Sequence, residues 1–289
     1  MKERYNIDMP LKLMYITNIV PVAEIAEQAG VDRIWVDLEY IGKEERQKGL
    51  NTVKSHHTLE DVSIIRKVVK KSELLVRVNP INEGSEEEIN EVVMRGADII
   101  MLPMFRTVKD VQTFLKFVNK RTKVILLIET PDAVDNLEEI LKLEGIDEVH
   151  IGMNDLSLAY KKPFMFDLLA EGTIDKIVET IKKHNIPYGF GGIARLNYGL
   201  VPSEYIIREH YRLGSSLAIL SRSFCNANTE KDIGVIRKVF IKGIQDIREE
   251  EKKASKLTKA QFEENRIKTK NMILDVDFNI RKAAENEKN

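Results

Sequence analysis

The sequence predicts an α/β fold, a (β/α)8 TIM barrel with a C-terminal helical extension. Three observations carry this expectation. Eight short apolar runs alternate with segments of helical period. Several helical segments stop at a glycine just ahead of the next run, at Gly30, Gly96, Gly145 and Gly214. No Gly-x-Gly-x-x-Gly follows the first run, as an open doubly wound sheet built for a dinucleotide would favour. Apolar strands alternating with amphipathic helices imply parallel strands and right-handed crossovers, and 289 residues leave room for eight such units.

Strands are predicted at Leu11–Thr17, Arg33–Leu38, Leu74–Val78, Ile99–Met104, Val124–Ile128, Val149–Gly152, Tyr188–Ile193 and Leu217–Ser221. Helices are predicted between them at Val22–Gln28, Leu59–Lys71, Glu86–Arg95, Val108–Asn119, Val134–Leu143, Phe166–Lys183 and Ser203–Arg212, and an eighth at Asp232–Glu251. Residues 1–255 form the barrel in this reading, and 256–289 the extension. Two segments depart from the repeat. Residues 41–58 make a long polar loop after the second strand, at the rim where barrel sites are built. The last segment is highly charged yet holds Phe262, Ile267, Met272, Ile273, Leu274, Val276, Phe278 and Ile280. That is more apolar bulk than a disordered tail carries, so one or two helices are expected there. They would pack on the barrel or on a second subunit, and a homo-oligomer follows from the latter.

Composition excludes several classes. Lys plus Arg is 45 and Asp plus Glu 46, which gives no reason to expect nucleic acid or an acidic membrane surface. The single Cys225 rules out an internal disulfide and fits a reducing compartment. No apolar stretch has membrane-spanning length, and MKERYNIDMP lacks a signal-peptide core, so the expected location is cytoplasmic.

The chemistry concentrates between Val124 and Tyr160. The fifth strand stops at Glu129, and the sixth leads within three residues to Asp155. Strand carboxyl ends in a parallel barrel all open on one side. Two carboxylates there repel unless a proton or a cation intervenes, and oxygen ligands suit a hard ion such as Mg²⁺ or Mn²⁺. Taken singly, Glu129 reads equally well as a cap of the following helix and Asp155 as an N-cap. Together they favour the metal site.

Four pieces of sequence resemble one family: VDLEY at 36–40, LLVRVNP at 74–80, IETPDAVDNLEEI at 128–140 and IGMNDLSLA at 151–159. The last two, in this order and spacing, are specific. Over about residues 10–250 the chain is similar to the HpcH/HpaI aldolase and citrate lyase β-subunit family of the phosphoenolpyruvate/pyruvate barrel superfamily. The resemblance implies that Glu129 and Asp155 hold a divalent metal, Mg²⁺ or Mn²⁺ foremost. It implies that Arg77 faces the substrate and that peptide amides around Gly152, Met153, Asn154 and Asp155 cradle its carboxylate. A guanidinium fork suits a carboxylate or enolate oxygen, and a salt bridge below the rim is the other use for Arg77. Asp37 and Glu39, two apart on the second strand, share a face and would either orient water at the metal or form a structural ion pair.

One position departs from the family pattern. The aldolases carry a histidine after the D-x-E of the second strand, as their acid–base group; here that place is Tyr40. An ordinary phenol is a poor base at neutral pH, so Tyr40 is expected to position water or the acceptor. His56 and His57 in the rim loop are the candidate proton relay. Lys43, Glu44, Arg46 and Lys54 of that loop suggest a polar or anionic acceptor. The expected activity is a metal-dependent carbon–carbon lyase acting at the methyl carbon of pyruvate, with an α-keto acid and a polar or sugar-like aldehyde as partners. An acyl-CoA lyase of the citrate or malyl-CoA type is the alternative. A catalytically silent barrel serving as a binding subunit is the alternative of another class.

Overall fold

The computed structural model describes residues 10–42 and 56–286. Eight strands close in sequence order into a wholly parallel barrel: β1 (Lys12–Ile16), β2 (Arg33–Asp37), β3 (Glu73–Arg77), β4 (Ile99–Leu102), β5 (Lys123–Ile128), β6 (Glu148–Ile151), β7 (Tyr188–Ile193) and β8 (Leu217–Leu220). All eight predicted strands are present. The main helices between them are α1 (Val20–Ala29), α2 (Leu59–Val68), α3 (Ser85–Met94), α4 (Val108–Val118), α5 (Pro131–Asp135) and α6 (Leu137–Ile140). They continue with α7 (Met153–Ala159), α8 (Asp167–Ala170), α9 (Thr173–Lys183), α10 (Ser203–Leu213) and α11 (Ile233–Ala254), and α12 (Lys259–Asn286) ends the described chain. None of these helices is long and apolar enough to cross a membrane.

Local chemistry sets the helix ends. Thr58 and Thr107 close capping boxes with Asp61 and Asp110, so both helices begin with their first donors satisfied. The four predicted glycine stops all have positive φ, from 76° to 97°. A side chain there would strain the backbone.

Two helical expectations need correction, and one further helix stands where none was expected. Val134–Leu143 is two short helices, because Asn136 (φ −92°, ψ 4°) leaves helical geometry and its Nδ2 binds the carbonyls of Asp132 and Arg106. Phe166–Lys183 breaks at Gly172, whose φ of 83° no helix accommodates. The helix at Met153–Ala159 escaped prediction. It starts directly from the strand at Gly152, too short to show a period.

Side chains alternate between two cores. Outward residues pack under the helices, while Met14, Trp35, Leu75, Ile99, Met101, Ile125, Leu127 and Leu217 fill the barrel. The amino-terminal end of the barrel is closed by charge instead. Arg33, fully buried, places Nη1 and Nη2 2.5 and 2.8 Å from the two oxygens of Glu148, and Nε 2.9 Å from Glu73. Lys12 and Lys123 bind the same two acids from the rim.

Helix α12 packs on α10 and α8 through Phe262, Asn265, Thr269 and Ile273, which lie three and four residues apart on one face. Asn265 Nδ2 donates to Glu209 Oε1 at 2.8 Å. Phe262 and Ile273, expected to meet a second subunit, are therefore covered by this chain's own barrel. Ile267, Leu274 and Phe278 remain exposed on another face.

Candidate active site

The carboxyl ends of the strands surround a cavity of about 970 Å³. Its charged wall follows from register. Asp37 and Arg77 are paired across β2 and β3, so their side chains meet at the top of adjacent strands. Arg77 donates from Nε and Nη2 to the two oxygens of Asp37 at 2.8 and 2.9 Å. Its Nη1 lies 3.2 Å from Glu39 Oε2 and 3.7 Å from Glu129 Oε1. The guanidinium rests over the Trp35 ring, 5.2 Å from its centroid. Burial alone would lower the pKa of Arg77, but Asp37, Glu39 and Glu129 outweigh it and hold the group well above its ordinary value. The fork is thus engaged by Asp37, and Nη1 is the part turned towards Glu39 and Glu129.

Glu129 and Asp155 both line the cavity, from paired units of the barrel: β5 and β6 are neighbours, and Gly152 N–H donates to Ile128 O at 2.9 Å. Gly152 has to lack a side chain. A Cβ there would fall 2.5 Å from Glu129 Cγ, so the bare backbone is what lets Glu129 lie across the end of β6. The cap of α5 is Thr130, whose hydroxyl accepts from Ala133 N–H, and α7 is capped at Gly152. Glu129 and Asp155 are therefore not N-caps. Asp155 sits in the first turn of α7, and Gly152, Met153, Asn154 and Asp155 all line the cavity. Among the described residues no group of three or more His, Cys, Asp or Glu forms a metal cage. The pair nonetheless fits a hard cation, which commonly uses one or two carboxylates and completes its shell with water and ligand oxygens.

The histidines lie by the Asp37 side of the cavity. His56 and His57 both line the cavity. His57 Nδ1 accepts the Asp37 N–H at 3.0 Å. A backbone amide can only donate, so the neutral ring carries its proton on Nε2. Tyr40 stands apart: its side chain is 69% exposed and is not among the residues lining the cavity. Its amide and that of Ile41 donate to Asn79 Oδ1, which anchors the start of the rim loop. Lys43, Glu44, Arg46 and Lys54 lie outside the described residues.

Sequence reasoning missed three contributors: Trp35 beneath Arg77, Asn79, and His150 in the wall below Gly152. Period two on β6 was the available signal for His150. Val149 and Ile151 face the helices, leaving Glu148, His150 and Gly152 on the inward face.

A closed parallel barrel with acids, a buried arginine and a helix start around one mouth is the arrangement that barrel enzymes use for small polar ligands. A family model, HpcH/HpaI aldolase/citrate lyase, matches residues 14–187. The chain belongs to this family. It is 27% identical over 190 residues to the 2-keto-3-deoxy-L-rhamnonate aldolase of Escherichia coli K12, and equally to that of Shigella sonnei. Each match covers 55% of this chain and 64% of the relative, so the chain spans less than two thirds of those proteins. A Burkholderia cenocepacia J2315 family protein superposes with a TM-score of 0.60 at 17% identity, covering 80% of this chain and 95% of that one. A citrate synthase, SbnG, superposes at 0.56 and 16% identity, covering 79% and 94%. At these identities the structures speak for the fold alone.

Proposed function

We propose that the chain is a divalent-metal-dependent aldolase that cleaves or forms the bond to the methyl carbon of pyruvate. Its substrate class is a 2-keto-3-deoxy sugar acid. The observation that carries the reading is that one cavity is lined by Glu129, at the end of β5 beside Arg77, and by Asp155, in the first turn of α7 after β6. The name of the curated relatives supports the substrate class.

Retro-aldol cleavage requires removal of the C4 hydroxyl proton, rupture of C3–C4 with its electron pair retained on the pyruvate fragment as an enolate, and return of a proton to the methyl carbon. Mg²⁺ or Mn²⁺ held by Glu129 and Asp155 would supply Lewis-acid polarisation of the keto oxygen. The first amides of α7, at Met153 and Asn154, have no carbonyl four residues back within their helix and suit the substrate carboxylate. Arg77 Nη1 adds a fixed positive charge where enolate charge develops. Asp37 and Glu39 hold that guanidinium in place and charged. The hydroxyl proton leaves through His56 or His57. His57 takes it at Nδ1 only by releasing the Asp37 N–H, which biases it towards donating from Nε2. Steady-state pyruvate release with and without added Mg²⁺ or Mn²⁺ tests the reading.

Arg77→Lys keeps the charge but cannot span Asp37, Glu39 and Glu129 at once. It is expected to cut kcat/KM by about a hundredfold while the melting temperature moves much less. Normal turnover in a variant that melts far lower would assign Arg77 to the fold instead.

A homo-oligomer is part of the same proposal. Ile267, Leu274 and Phe278 recur at seven and four residues along α12 and are exposed, a face that a second copy would cover. Leu274→Asp with Phe278→Asp should lower the mass seen by light scattering and leave the barrel folded. An unchanged mass removes α12 from the assembly.

A further inference from the structure

Below the rim, the cavity wall contains a polar atom that the mechanism does not use. His150 is fully buried in the middle of β6 and lines the cavity. Its Nε2 lies 3.3 Å from the Gly191 carbonyl. A carbonyl can only accept, so Nε2 carries the proton and Nδ1 presents a lone pair. That Nδ1 has no hydrogen-bond partner among the described residues. A buried acceptor left bare is costly, and native proteins seldom keep one without a use.

The surroundings keep the ring neutral. Burial pushes its pKa down to about 4, and the Arg33 charge on the same inner surface acts in the same direction. At neutral pH it therefore neither attracts an anion as a cation would nor competes for the substrate proton as a strong base would. It can only accept. Facing β7 contributes no side chain that could reach it, because its neighbours there are Gly189 and Gly191. Leu217 fills the inner side of Gly189, the Met153 sulfur lies against Gly191, and Leu127 neighbours the ring on β5. None of these side chains can donate a hydrogen bond, so a ligand in the cavity that His150 lines is what could serve the lone pair.

The geometry points to His150 as a specificity-determining residue whose Nδ1 accepts a hydrogen bond from a neutral hydroxyl of the ligand, so that the cavity selects hydroxylated 2-keto acids over their deoxy analogues. This deepens the aldolase reading and rests on it for the keto-acid portion of the ligand. A site built to pair a hydroxyl rejects the analogue lacking it, since its own buried group is then stranded.

The test is titration calorimetry with a 2-keto-3-deoxy sugar acid and with analogues deoxygenated at C4, C5 or C6, alongside pyruvate release from those that retain the C4 hydroxyl. The parent protein should bind the full sugar acid about tenfold more tightly than one of the analogues. His150→Phe should bring that ratio to within about twofold by weakening the sugar acid, and not the analogue. His150→Asn, whose amide oxygen can occupy the Nδ1 place, should restore part of the ratio. If His150→Phe does not fold, His150→Gln replaces it, keeping a donor for the Gly191 carbonyl and no acceptor at Nδ1. Equal affinities across the series in the parent, or a ratio that survives His150→Phe, overturns the proposal. Hydroxyl-dependent binding without pyruvate release leaves His150 in its role and removes the aldolase reading. Pyruvate release without discrimination does the reverse, and absence of both binding and release overturns the two together.

Discussion

Replacing Glu148 by alanine is expected to cost about 3–5 kcal/mol of stability and about 10 °C in melting temperature. The acid lies inside the barrel with both oxygens bound by the fully buried Arg33. Its loss strands a guanidinium with one remaining carboxylate, Glu73, which Lys123 also claims. Breaking a buried pair is far worse than replacing it. Arg33→Met with Glu148→Leu should therefore melt above the single variant, because it removes both desolvated charges. A single variant melting within about 2 °C of the parent would show that the network holds little. The pair also sets acid sensitivity. Burial would raise the pKa of Glu148, but its bonds and charge interactions with Arg33 and Lys12 outweigh that and depress it below the ordinary 4.5. Its contribution is present above pH 4.5 and is lost as pH falls through the lowered value. Burial also depresses His150 and His210, to about 4 and about 3, from 6.5. The unfolded chain then binds more protons than the folded one, so stability starts to decline below pH 6.5, before the carboxylates titrate.

The strands were legible because each is a short apolar run closed by a glycine or a turn, signals that depend on neighbours in sequence. Glu129 was legible as the acid that ends a strand for the same reason, whereas Asp155 lies in the first turn of the short helix that the sequence did not reveal. The pairing of Arg77 with Asp37 was only half visible. Both stood at strand ends, but the register that joins them is a property of the closed sheet. Arg33 and Glu148 are 115 residues apart, and nothing local links an arginine opening one strand to a glutamate opening another. His150 looks from the sequence like a polar interruption in an apolar strand. Only closure of the barrel, with glycines across from it on β7, turns that position into cavity wall. Tyr40 shows the opposite failure. Its place after Asp37 and Glu39 suggested the cavity, yet Asn79 holds the backbone so that the phenol faces solvent.

Glu129→Gln with Asp155→Asn is expected to abolish stoichiometric binding of Mg²⁺ or Mn²⁺ and to lower pyruvate release at least about a thousandfold. Both changes keep shape and remove charge, so the test separates electrostatics from packing. Glu129 is buried and fits over the bare Gly152 backbone, and an amide of the same outline preserves that contact. Neutral amide oxygens are much weaker ligands for a hard cation than carboxylates. The single variants distinguish two roles. Glu129 also stands 3.7 Å from Arg77 Nη1, so Glu129→Gln alters the guanidinium as well as the metal. Asp155 rides on the first turn of α7 and not on the strand end beside Arg77, which makes Asp155→Asn the cleaner probe of metal binding. Excess metal should partly rescue Asp155→Asn if lost affinity is the defect, and Glu129→Gln less so, because its arginine remains disturbed. A double variant that still binds one metal per chain and releases pyruvate at the parental rate would remove these two acids from the chemistry.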